Sequence, residues 1–147
     1  MEQDFSDHFW TWYATDERRR LLVVCELIKA LEFLQAPAET QSSQIPYCPA
    51  CETWSMMMLP IASFLEEFPP DLSPSLREAL AAVWLACNEL PEESFRCDDF
   101  QMFHLEGWDD LRSVASKALH ELDWENLQLH VDEVISELRQ KLFNKQG

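Results

Sequence analysis

The chain has 147 residues and sets 27 Asp and Glu against 11 Lys and Arg, a formal charge of −16. Its only glycines are Gly107 and Gly147, which excludes a β fold with many tight turns and also a glycine-rich phosphate or dinucleotide loop. The length supports one ordinary core without a metal or disulfide staple, no run approaches the ~20 apolar residues of a membrane span, and the opening MEQDFSDHF has no signal-peptide pattern.

The expectation is an all-α, soluble, cytoplasmic protein. It forms a single helical domain over 1–147, with about five principal helices and a short aromatic N-terminal helix. Long connections occupy 36–49 and 90–107.

In chain order, Phe5 to Tyr13 predicts the short helix, with Ser6 as its N-cap and Phe9, Trp10 and Tyr13 packed on the domain. Thr15 or Asp16 then opens a long helix to about Gln35. Its wide apolar face of Leu21, Val24, Cys25, Leu27, Ile28, Leu31 and Leu34 puts it near the centre of the bundle. Arg18, Arg19 and Arg20 stand in its first turn, where the helix dipole disfavours cations. Three tandem residues face different ways, so solvation or pairing within the chain accounts for them better than an outside partner does.

Residues 36–49, with three prolines and a polar centre, read as a linker. A second helix is predicted over 50–68, with Trp54, Met57, Met58, Ile61, Phe64 and Leu65 inward and a kink at Pro60. Met56, Met57 and Met58 point around such a helix, so core filling is the commoner role for them. Ser73 followed by Pro74 starts a third helix that runs to about Glu89 and buries Leu76, Leu80, Val83, Trp84 and Cys87. A fourth runs from Gly107 and Trp108 to Leu122. Asp123 caps a fifth that buries Leu127, Val131, Val134, Ile135, Leu138 and Leu142, and the last residues, FNKQG, fray. The connection between the last two is so short that they form an antiparallel hairpin or a sharply bent pair.

The stretch 89–110 is the most distinctive. It sets Glu89, Glu92, Glu93, Asp98, Asp99, Glu106, Asp109 and Asp110 against the single cation Arg96, and threads Phe95, Phe100, Met102, Phe103, Leu105 and Trp108 between them. A segment so composed is a connection pinned by its apolar residues that presents carboxylates outward. From Ala30 to Asp110 there are fifteen acids and two bases, Arg77 and Arg96, so the middle carries −13 of the total charge. Such a surface repels nucleic acid and anionic membrane and steers basic partners. The candidate partner-binding residues are these eight carboxylates with Phe103, Trp108, Glu66, Glu67 and Asp71; Trp108, beside Asp109 and Asp110, is expected to be partly exposed as an interface anchor.

No catalytic residue is assigned. The chain has no G-x-S-x-G, no H-E-x-x-H, no Glu-x-x-His pair and no calcium loop, and the expectation is a protein that is not an enzyme. Cys48-Pro-Ala-Cys51 is the one formal motif. A redox role needs a strand leading into it, which SSQIPY does not supply, and zinc needs two further ligands that local spacing does not provide. All five cysteines are therefore expected to be free, with no cofactor and no metal.

In size, acidity and helical pattern the chain resembles the small immunity proteins that bacteria encode against secreted or contact-delivered toxins. That resemblance implies a basic protein partner, commonly a toxin nuclease domain whose phosphate-binding groove the acidic stretch would occupy. Competing readings are a phage-type inhibitor that mimics DNA charge, a helical adaptor domain and a small thiol- or metal-dependent protein.

Overall fold

Helical spacing in the sequence becomes helix in the structure, a computed structural model that describes residues 4–45 and 47–143, and no strand forms among them. The order is α1 (Phe5–Ala14), α2 (Arg18–Gln35), α3 (Ala38–Gln44), α4 (Pro49–Glu52), a π-helical segment (Thr53–Met58), α5 (Leu59–Glu66), α6 (Pro74–Asn88), α7 (Asp109–Glu121) and α8 (Trp124–Phe143). With residues 49–66 counted as one continuous run, the described chain has seven helices. The addition to the expected set is α3. No helix among the described residues is long and apolar enough to cross a membrane.

α2 holds the centre, as its wide apolar face predicts. Val24, Cys25, Leu27, Ile28, Leu31 and Leu34 are all wholly buried, and α1, α5, α7 and α8 pack around them. It begins at Arg18 rather than at Thr15 or Asp16 because residues 15–17 are spent ending α1. The Glu17 amide donates to Trp12 O at 2.9 Å, and Asp16 takes the left-handed conformation at φ 58°. Two of the three arginines are used within the chain, with Arg18 3.5 Å from Asp16 and the Arg20 guanidinium over the Trp12 ring. Ser6 does not cap α1. Its amide and hydroxyl both donate to Asp123 Oδ2, so the carboxylate expected to cap α8 ties α1 to the α7–α8 corner.

The linker expected over 36–49 contains α3, whose residues AETQSSQ offer no apolar stripe. What fixes it is polar. Gln41 is wholly buried, and its Nε2 donates to Phe33 O at 2.9 Å and Leu34 O at 3.3 Å. Those carbonyls lie in the last turn of α2, beyond its i+4 amides, and Phe33 O also accepts the C-cap Ala36 amide at 3.1 Å. Where a kink is expected at Pro60, a π-helical segment stands just upstream, the widening that a proline without an N–H imposes on the preceding turn. Met58 is buried, Met57 half-buried and Met56 exposed, so the methionine run supplies one core filler.

Ser73 caps α6, its hydroxyl accepting the Ser75 amide at 3.1 Å ahead of Pro74. Leu76, Leu80, Val83 and Cys87 are buried as expected, while Trp84 is only partly so. Its ring lies at the rim against Trp54, centroids 5.3 Å apart. α7 runs antiparallel to α6 and buries Leu111, Ala115, Ala118 and Leu119. Leu122 and Asp123, the latter at φ 53°, turn the chain into α8, which packs chiefly on α2 rather than back along α7. Along α8, Leu127, Val131, Val134, Ile135 and Leu138 are buried and Leu142 half-buried. Of the five residues FNKQG expected to fray, Phe143 closes α8 and 144–147 lie outside the described residues. One continuous apolar cluster runs from Phe5 to Leu138.

Candidate functional site

Between α6 and α7, residues 89–108 form three 3₁₀ turns, Glu92–Ser94, Phe100–His104 and Glu106–Trp108. Too little regular backbone pairing exists here to hold the path, and side chains hold it instead. Met102, Phe103 and Trp108 are wholly buried, and Phe95 and Phe100 pack partly against the same core. The Phe103 and Trp108 rings lie 4.9 Å apart, Phe103 meets Phe33 of α2 edge-on at 5.9 Å, and Phe95 lies between Trp108 and Trp54. Such pairs contribute about 0.5–1.5 kcal/mol each beyond their burial. The Trp108 indole N–H donates to Ser94 O at 2.7 Å, closing the segment on itself across fourteen residues.

The expected partial exposure of Trp108 is thus corrected. It and Phe103 are both 0% exposed, because each ring has an aromatic neighbour and the indole nitrogen has an internal acceptor. They shape the surface from beneath and cannot touch a partner in this conformation. Gly107 is required by close approach, since a Cβ there would stand 2.7 Å from Ser94 Oγ and 3.1 Å from Pro91 Cδ.

Arg112 fastens the segment to the bundle. Its Nε donates to Ala36 O at 3.1 Å, and its Nη2 donates to Gln41 Oε1 at 2.8 Å and to Phe103 O, while Nη1 pairs with Asp109 at 3.1 Å. One guanidinium therefore gathers the end of α2, α3, the 3₁₀ segment and the first turn of α7. Burial pulls its pKa down and Asp109 opposes that. Ser42 adds a second tie, its hydroxyl lying 3.0 Å from Phe100 O.

The carboxylates divide by role. Glu89, Glu92, Glu93, Asp98, Glu106, Asp109 and Asp110 are exposed. Asp99 is half-buried and accepts the Gln101 amide at 2.9 Å, starting the second 3₁₀ turn. Glu93, Glu106, Asp109 and Asp110 line an open groove of about 720 Å³ together with the exposed Pro91 and Leu105. Glu66, Glu67 and Asp71 are exposed but lie before the N-terminus of α6, whereas the segment 89–110 begins at its C-terminus. At 1.5 Å per residue, α6 separates the two groups by about 21 Å. The thirteen residues expected to form one surface therefore comprise carboxylates at the two ends of α6 and the buried Phe103 and Trp108, and Glu67 shares a groove with Arg19 and Arg20.

The same end of the bundle carries the thiols. Pro49 in the first turn of α4 leaves Cys48 as its N-cap, with Sγ accepting the Cys51 amide at 3.3 Å. Cys97, from the acidic segment, comes to 3.2 Å from Cys51, sulphur to sulphur. The thiol and amide of Cys51 lower the pKa of Cys48, and Cys51, as donor to Cys48 and Cys97, is pushed up to about 12. Cys25 and Cys87 differ: both are core residues whose thiols burial raises to about 12. All five are free, but three of them are not independent. Local spacing left Cys97 unassigned because its partners stand 46 residues or more away.

Sequence reading missed Arg112, Gln41 and Ser94, which build the site. The one visible signal was a lone arginine two residues after Asp109-Asp110 in an acidic surround. The chain matches no protein-family model, no curated protein and no solved structure.

Proposed function

We propose that this chain is a binding protein that takes a basic macromolecular partner at the acidic end of its bundle. In the reading that the resemblance to small immunity proteins implies, the partner is a toxin domain, a nuclease among them, which the chain neutralises in the cytoplasm. The observation that supports it is the groove of Glu93, Glu106, Asp109 and Asp110 around Leu105, on backbone held by buried Phe103 and Trp108 and by Arg112. Carboxylates on a fixed backbone bind without a large ordering cost, and a rim of like charge raises the rate of encounter with a cationic surface. The exposed Leu105 in the groove lining offers an apolar contact that charge alone does not provide.

The test is capture of a partner from the source organism's lysate at low salt, followed by kinetics with the purified partner. Glu92, Glu93, Glu106 and Asp110 are changed together to their amides. Asp99 and Asp109 are spared because one starts a 3₁₀ turn and the other pairs with Arg112. Association is expected to slow by roughly tenfold or more at low ionic strength and to lose its salt dependence, with dissociation little altered. An unchanged rate and an unchanged salt slope would show that the acidic end only keeps the protein in solution.

A further inference from the structure

Cys48 and Cys51 lie at the start of α4 and Cys97 lies within the acidic segment, yet their three sulphur atoms all fall within 4.8 Å of one another. Core packing does not explain them. Cys51 and Cys97 are exposed and Cys48 is half-buried, unlike Cys25 and Cys87. We propose that Cys48, Cys51 and Cys97 form a three-thiolate site for one zinc ion, with the fourth coordination position open to an outside ligand.

The geometry suits the ion. Three sulphurs at tetrahedral zinc, each about 2.3 Å from the metal, stand about 3.8 Å apart. The observed triangle, 3.2 Å on its Cys51–Cys97 edge and no longer than 4.8 Å on any, reaches that shape by side-chain rotation. Two of the ligands are preset, because Pro49 opens α4 and the Cys51 amide bonds to Cys48 Sγ, holding both thiols on one side of the turn. Thiolates select soft ions over magnesium or calcium. Between the soft candidates, the acids Glu52, next to Cys51, and Asp98, next to Cys97, favour the divalent ion, since three thiolates with zinc leave −1 and with copper(I) leave −2. The exposed sulphurs provide an entry path. Zinc there would staple α4 to the acidic segment across 46 residues, independently of which partner the groove takes.

The test uses the full chain, purified anaerobically under reducing conditions, with zinc alone as the probe. One equivalent is expected to bind, cobalt(II) substituted for it is expected to show thiolate charge-transfer bands, and zinc is expected to shield Cys48, Cys51 and Cys97 from alkylation. Cys97→Ser and Cys51→Ser, both at exposed positions, are expected to weaken binding at least roughly tenfold with the helical circular dichroism unchanged. The proposal is overturned if the folded, fully reduced chain takes up no zinc or if Cys97→Ser binds as tightly as the parent. It is also overturned if the site takes copper(I) and refuses zinc, or if zinc does not slow the joining of Cys51 and Cys97 as a disulfide in air.

Discussion

At the N-terminal end of α6, Glu66, Glu67 and Asp71 stand on the last turn of α5 and a short turn around Pro69 and Pro70, with Arg19, Arg20 and Arg77 in the neighbourhood. At its C-terminal end, the carboxylates of 89–110 stand on irregular backbone tied down by Phe103, Trp108, Arg112 and Gln41. Charge alone does not distinguish the two. The difference is what lies underneath: one group decorates helix ends that would form anyway, and the other is carried by a segment whose shape depends on its own buried aromatics. Carboxylates acquire a defined arrangement only in the second case.

The comparison is broken most strongly from below. Trp108→Ala removes the largest wholly buried side chain, together with the donor to Ser94 O, and is expected to cost about 3–5 kcal/mol in chemical denaturation. A loss under about 1 kcal/mol would mean that the segment is held by something other than its aromatics. Gly107→Ala is a smaller insult, since the new methyl meets a side-chain hydroxyl that can give a little. It is expected to cost about 1–3 kcal/mol, and Ser94→Ala in the same chain should recover part of that by removing the atom 2.7 Å away. No recovery would place the strain in the backbone instead.

At the other end, changing Glu66, Glu67 and Asp71 together to their amides is expected to leave stability within about 0.5 kcal/mol, because all three are exposed and none holds a backbone in place. The same triple change is expected to leave the salt dependence of partner binding nearly intact, the opposite of the groove variant. Equal effects from both sets would mean that a diffuse field of the whole acidic surface acts, without a site.

Much of the bundle is legible in the sequence. Apolar residues at three and four on α2, α6, α7 and α8 must be covered whatever the partners are, so the stripes predict both the helices and their buried faces, Leu31 to Leu138. Ser73-Pro74 marked a helix start because capping is settled within one turn. The pinned character of 89–110 was also readable from the aromatics spaced through the acidic run, although Trp108 was expected at the surface and is wholly buried.

Periodicity and capping along the chain specify a set of helices, their inward faces and an acidic connection anchored by aromatics. That α3 forms depends on tertiary contact, since Gln41 is wholly buried against the last carbonyls of α2. Tertiary structure likewise buried Trp108 beneath the carboxylates beside it, put Glu66 and Asp110 at opposite ends of α6, and brought Cys97 to Cys51. Each of these depends on groups far apart along the chain. Local periodicity carries no information about which distant segment will supply a hydrogen bond, a ring or a third sulphur; close packing of the helices against one another supplies it.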